Sequence, residues 1–295
     1  MTYEVMPTRM VQQQETWMHE NQSNGQWQIG CVSYLNSKPL IEPIVQRSDC
    51  RVHFAVPAQL LSMLDGGMVR AALTPVVDYQ KSERELMLVP AGGICCDGPT
   101  LTVRIYSPAP PTHIRLLYAD TDSHTSVILA QIILRELYGV RPDIAPLNAA
   151  AHHTTWADDA ALLLIGDKVV NAAPNQWQFP VQLDLGEQWK RLTGLPFVFA
   201  MWMMRTDSLD PHLAGILAEA RRQGRTMTDA LVAQYATATR WPVNLARKYF
   251  TQYLKYDITP ERRRGLELFF QYAHQLHLIH HNRPIRYFEP AGIDA

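Results

Sequence analysis

The chain has 295 residues, 47% of them apolar, with 27 Lys and Arg against 28 Asp and Glu. That is enough apolar material for one large domain or two medium ones. A net charge of −1, with no Lys/Arg-rich run and no heptad pattern, argues against nucleic acid or a membrane surface as the main partner.

Residues 1–26 are rich in Gln, Asn and Glu and hold no apolar segment of signal-peptide length, so the expectation is a flexible extension. No apolar run approaches the roughly 20 residues of a membrane span, and the expected location is cytoplasmic. Trp27-Gln28-Ile29 reads as a short strand. It leads into Gly30-Cys31-Val32-Ser33-Tyr34-Leu35-Asn36-Ser37-Lys38-Pro39, and 40–45 reads as helix despite Pro43. The loop offers Ser33, Asn36 and Ser37 at the carboxyl end of a first strand, where open α/β sheets bind ligands. Asn36 both donates and accepts. The helix start adds free backbone N–H groups that favour an anion. The same residues also suit an ordinary strand–loop–helix joint with an N-cap serine.

Next, 51–56 alternates like a strand, and 57–67 reads as a helix with Pro57 first and glycine last. Residues 71–74 form a short buried strand, Pro75 starts a helix to 79, and 86–89 is a strand. This β-α-β-α-β order predicts a mostly parallel sheet. Residues 91–99 are a Gly-rich turn, followed by a period-2 strand over 101–107. Prolines at 108, 110 and 111 break the chain. A second unit follows: strand 114–119, loop Asp120-Thr121-Asp122-Ser123-His124-Thr125-Ser126, helix 127–138, and strand 160–165 ending in Gly166-Asp167. Residues 194–205 form an apolar strand, buried on both faces. From 211 onward the pattern is helical, over 211–223, 226–238, 242–255 and 260–278.

Two α/β units joined by crossings near 105 and 200 predict an α/β, two-lobed fold like a type II periplasmic binding protein. The lobes are expected at 27–105 plus 205–290 and at 106–204, with C-terminal helices and a ligand cleft that closes about the crossing strands. A single larger doubly wound sheet fits the same pattern. Cys31, Cys50, Cys95 and Cys96 lack C-x-x-C spacing and read as buried free thiols. The pairs His152-His153 and His280-His281 have no acidic or cysteine partner at ligand spacing, so no metal site is expected. Arg262-Arg263-Arg264 reads as a solvated helix face.

Five blocks carry a family resemblance: 30–39 above; Leu73-Thr74-Pro75-Val76; Gly93-Ile94 with Asp97-Gly98-Pro99; Asp122-Ser123-His124-Thr125-Ser126; and 184–189 with 193–200 and Trp202. In order and spacing they resemble the menaquinone-biosynthesis enzymes of the futalosine route, in particular the chorismate dehydratases. The resemblance spans 29–288. It implies a two-lobed fold and conversion of chorismate to 3-[(1-carboxyvinyl)oxy]benzoate and water, a carbon–oxygen lyase reaction without cofactor.

Chorismate carries two carboxylates, so its site needs anion donors at two ends. Ser123, Thr125 and Ser126 open a helix and form one such cradle, or else a plain helix cap. Thr74 sits similarly at a strand end. Gly98-Pro99 lets backbone approach a ligand, or makes a simple tight turn. The segment 193–202 reads as packing and hinge. Asn36 is the expected central polar contact, by position and by the family pattern. No His–Asp pair or paired carboxylates stand out in these loops as a dedicated base, so the substrate's own enolpyruvyl carboxylate is expected to take the ring proton.

The chain departs from the family pattern in places. Gly98-Pro99-Thr100-Leu101-Thr102-Val103 stands where Gly-Pro-Val-x-Ser-Val is usual, so Thr102 keeps the hydroxyl and adds a methyl group. Arg104, two residues on, either meets substrate or pairs with a nearby acid. Ser37 replaces a common threonine. A sister family, the 1,4-dihydroxy-6-naphthoate synthases, aligns a basic histidine with Gly166-Asp167; Asp167 here faces the cleft or caps a helix. Two rival readings remain: a non-catalytic sensor of a chorismate-like dicarboxylate, and a sibling enzyme with another substrate.

Overall fold

The computed structural model describes residues 25–120, 123–147 and 157–291. The expected extension over 1–26 therefore lies almost wholly outside the described residues, as do Asp122 and His152-His153. Among the described residues no helix is long and apolar enough to cross a membrane.

Among the described residues ten strands form two five-stranded sheets, in place of a single doubly wound sheet. The first holds β1 (Trp27–Cys31), β2 (Cys50–Phe54), β3 (Ala71–Pro75), β4 (Leu86–Cys96) and β10 (Phe197–Arg205), in the order β2-β1-β3-β10-β4. The second holds β5 (Val103–Ser107), β6 (Leu116–Ala119), β7 (Asp143–Pro146), β8 (Ala160–Ile165) and β9 (Val181–Asp184), in the order β7-β6-β8-β5-β9. The two orders are the same pattern. In each, three parallel strands are followed by an antiparallel strand that has just crossed from the other sheet. The mostly parallel sheet expected from the first unit is thus mixed. Local pattern does not report which distant strand fills the fourth slot.

By sheet membership all of β5 lies in the second sheet and all of β10 in the first, so the chain passes between the sheets over 97–102 and 194–196, against expected crossings near 105 and 200. The Gly-rich 91–99 turn is largely strand. β4 runs through Gly92 and Gly93 to Cys96, paired with β10 across two register shifts. A side chain at Gly93 would lie 2.7 Å from the Ala200 carbonyl oxygen, so only glycine lets these backbones approach.

Helices α1 (Lys38–Val45), α2 (Pro57–Asp65) and α3 (Asp78–Lys81) serve the first sheet. α4 (His124–Tyr138), α5 (Lys168–Asn171) and α6 (Leu185–Thr193) serve the second. The tail is α7 (Pro211–Thr226), α8 (Thr228–Tyr235), α9 (Val243–Lys248), a π-helical turn (Tyr249–Tyr253) and α10 (Pro260–Gln275). The Pro75 helix starts later than expected, since Pro75 ends β3 and α3 begins at Asp78. α6 was not legible as a helix. Its nine residues include Gly186, and its start depends on Asp184, whose carboxylate caps the Gly186 and Glu187 amides.

One apolar cluster runs continuously from Ala72, Leu88 and Met203 of the first sheet through Phe269 and Phe270 of α10 to Ile105, Leu117 and Leu163 of the second. All four cysteines are free and buried, as expected. The arginine run is a solvated face only at Arg264, which is exposed beside Glu261. Arg262 is buried and donates to the Asp257 carbonyl at 2.8 Å, and Arg263 lies over the Tyr287 ring at 4.4 Å and pairs with Glu289.

Candidate functional site

A cavity of about 660 Å³, counted out to its mouth, opens where the chain crosses between the sheets. Its walls are apolar: Val32, Leu73, Pro75, Ile94, Phe199 and Leu254. The first crossing reaches it through Thr100 and Thr102, and the strands that follow the two crossings reach it through Val103 of β5 and Phe199 and Ala200 of β10. Among the described residues that line it, none carries a charge.

The first crossing is held in an unusual shape. Leu101 has φ +70°, a left-handed conformation that costs a non-glycine residue energy unless its surroundings impose it. Asp184 imposes it. Its buried carboxylate accepts from the Thr100 amide at 2.9 Å and the Leu101 amide at 2.8 Å, while also capping α6. Arg104 braces the same turn. Its Nη2 is 3.6 Å from Asp184, and its Nε donates to the Leu101 carbonyl at 3.1 Å. Of the two readings of Arg104, the structure takes the acid pair; the side chain is not among the cavity residues.

This turn delivers Thr102 into the cavity with its Oγ1 2.7 Å from the Tyr249 hydroxyl. Tyr249 is buried, at the start of the π-helical turn, and also hydrogen-bonds the Asn36 side chain. Its ring stacks on Trp241 with centroids 4.9 Å apart. Burial pushes its phenol far above the ordinary value, so it stays protonated. Asn36 comes from the loop between β1 and α1, and among the described residues its Oδ1 is buried without a partner. Opposite, Ser123 and Ser126 line the cavity at the start of α4, with their hydroxyls 2.7 Å apart. The first amides of a 15-residue helix have no partners within the helix and carry the positive end of its dipole.

Asn36, Thr102, Ser123 and Ser126 are therefore brought together, and the other expected residues stand around them. Ser33 is exposed on the loop. Ser37 does not cap α1; its hydroxyl turns back to the carbonyls of Val32 (2.9 Å) and Tyr34 (2.8 Å) and fixes the bend that aims Asn36. Thr74 is buried with its hydroxyl against Met203 sulfur at 3.3 Å. Gly98 has φ +102°, and its carbonyl abuts Gly186, where a side chain would lie 2.5 Å away; Pro99 follows it outside the cavity.

Thr125 accepts from the Val77 amide at 3.4 Å and so ties the second lobe to the first. Beside it His124 Nδ1 lies 2.8 Å from the fully buried Asp78, a His–Asp pair that the sequence reading did not find. It joins α3 to α4 from elements 46 residues apart and is not a cavity residue. Asp167 caps no amide; it accepts from Trp241 Nε1 at 2.9 Å. Burial raises its carboxyl above the ordinary 3.8, opposed by that hydrogen bond.

Tyr249, like Tyr34 and Thr100, is a polar cavity residue that sequence reasoning missed. In an amphipathic stretch it reads as core, and only the need of a buried phenol for a partner hints otherwise.

A family model described as menaquinone biosynthesis matches residues 27–275. The chain belongs to the menaquinone biosynthesis family. Among curated proteins, this family member is 28% identical over 257 residues to the chorismate dehydratase of Thermus thermophilus, covering 82% of this chain and 93% of that protein. Among solved structures it is similar to a protein from Archaeoglobus fulgidus, with TM-score 0.66 and 14% identity over 87% of this chain and all of that one. A Candida albicans protein described as having the generic periplasmic binding protein fold gives TM-score 0.63 at 10% identity, covering 91% of this chain and 99% of that one. The menaquinone biosynthesis family member thus has the expected two-lobed, periplasmic-binding-protein-like fold.

Proposed function

We propose that the chain is a chorismate dehydratase, a carbon–oxygen lyase of the hydro-lyase class, working in the cytoplasm on a free small molecule. Family membership and the Thermus thermophilus relative support the reading. The observation that carries it is the cavity itself: an apolar slot, uncharged among the described residues, with a joined Asn36–Tyr249–Thr102 polar group and the α4 N-terminus in its wall.

The reaction breaks one ring C–H bond and the neighbouring ring C–O bond, forms the aromatic ring, and releases the hydroxyl and a proton as water. Aromaticity drives it, so the protein's task is positioning and charge stabilisation. The apolar walls hold the ring. The α4 amides with Ser123 and Ser126 receive a carboxylate, which the helix dipole favours. Asn36 Oδ1 accepts from the ring hydroxyl, and Thr102 donates toward the oxygen as it departs. Among the described residues, neither imidazole nor carboxylate lines the cavity. The substrate's enolpyruvyl carboxylate takes the ring proton, as a base held within reach by binding alone.

The test is to incubate purified, chelator-treated protein with chorismate and follow products by chromatography and mass spectrometry. Loss of one water with appearance of the substituted benzoate is the expected result, and Asn36→Ala should lower kcat on the order of 100-fold. Chorismate bound but returned unchanged would make the chain a binding protein instead. No binding would point to another substrate.

A further inference from the structure

We propose that Tyr249 is a positioning residue of the dehydration: a fixed, neutral phenol that sets which way the hydrogen bonds of Asn36 and Thr102 point. The inference rests on the chorismate dehydratase reading and deepens it. Three segments distant in sequence meet at one oxygen. Asn36 arrives on the loop after β1, Thr102 on the first crossing, and Tyr249 on the C-terminal turn, 147 residues beyond Thr102. The turn there is π-helical, with the Leu254 amide bonded to the Tyr249 carbonyl five residues back at 3.0 Å. Such wide turns recur at functional sites because they re-aim a side chain without ending the helix. The ring is locked by its stack on Trp241, so the hydroxyl cannot swing away.

The phenol has one proton to donate and lone pairs to accept with. Asn36 Oδ1 makes no hydrogen bond among the described residues, so the amide meets the phenol through Nδ2 and not through its oxygen. That leaves Asn36 Oδ1 as an acceptor with no partner among the described residues. With its oxygen receiving the Asn36 amide, Tyr249 gives its own proton to Thr102 Oγ1, 2.7 Å away. The Thr102 hydroxyl is then free to donate into the cavity. One residue thereby makes Asn36 the acceptor and Thr102 the donor, the polarity the elimination needs. Tyr249 is not itself the acid, because burial holds its proton tightly. The methyl of Thr102 also finds a use: a β-branched side chain has few χ1 choices, and the phenol selects one.

The experiment is a double-mutant cycle with Tyr249→Phe and Thr102→Val, assayed on chorismate. Tyr249→Phe keeps the ring and its stack; Thr102→Val breaks the same hydrogen bond without touching the C-terminal helices, so the bond is reached from either side. Each single variant should lose about 100-fold in kcat, with KM changed less than about 3-fold, since the interaction acts in the transition state. The double variant should be no worse than either single one, because both break one unit. Thr102→Ser, which keeps the hydroxyl, should retain most of kcat. Losses that multiply in the double variant, or a Tyr249→Phe effect confined to KM or to the unfolding midpoint, would overturn the role. The two failures are separable: inert wild-type protein refutes the dehydratase reading, whereas active wild type with unimpaired Tyr249→Phe refutes only this inference.

Discussion

At the scale of single residues, Asp167 shows how burial and pH are linked. Its carboxyl is pushed above the ordinary 3.8 by burial, and the Trp241 Nε1–H only partly offsets this. The fold therefore takes up the proton more readily than the unfolded chain does. The cost of ionising Asp167 is absent below 3.8 and fully present above the raised value, so its contribution to stability falls as pH rises through that window. Asp167→Asn keeps an oxygen for Trp241 and cannot ionise. In urea titrations from just below pH 3.8 to neutrality, the variant should gain stability relative to wild type as pH rises, then run parallel to it. A constant difference across that range would mean the carboxyl is not displaced in the fold.

At the scale of elements, the joint between α1 and α7 tests how closely the first lobe is built. Pro43 has no N–H, so the Pro39 carbonyl lacks its usual helical donor. α7 presses onto that carbonyl through Gly224, where an added methyl group would sit 1.7 Å from the Pro39 oxygen. Both partners are backbone and neither can step aside. Gly224→Ala should cost about 3 kcal/mol or more in denaturant unfolding, at the top of the range for overpacking. Elements with a strong local signal were legible in the sequence: β8 lies at 160–165 and α7 starts at Pro211, both as read. Elements that depend on distant partners were not. β4 runs through two glycines only because β10 lies beside it, and α6 starts where Asp184 clamps the first crossing. The site divides in the same way. Asn36, Thr102 and Ser123 sit on connections between elements and Ser126 in the first turn of α4, in segments whose polarity advertises them, whereas Tyr249 becomes polar machinery only through Thr102 and Asn36 across the fold.

At the scale of the whole molecule, the two sides of the cleft are held very differently. On the α4 side a single apolar core passes from one sheet to the other, backed by the His124–Asp78 pair and the Thr125–Val77 bond. Opening there would expose buried apolar surface at roughly 25 cal/mol per Å², so that side resists opening. On the opposite side the described contacts are few. Asp167 meets Trp241, Asn171 donates to the Thr239 carbonyl at 2.8 Å, and Val170 packs at the edge of the first-lobe core. Motion that admits a ligand therefore belongs to this side. Trp241→Phe keeps a ring against Tyr249 and removes the Nε1–H that Asp167 holds. A hydrogen bond to an ionised acceptor contributes about 1.5–3 kcal/mol, enough to shift the closed-to-open ratio by roughly 10- to 150-fold. Ligand-free Trp241→Phe protein should have a larger radius of gyration in X-ray scattering, and KM for chorismate should rise more than kcat falls, because a smaller share of molecules is ready to bind. Unchanged scattering together with an unchanged KM would place the clasp elsewhere. In that case the lobes would be held shut by the continuous core alone, and ligand entry would require the crossing strands themselves to flex.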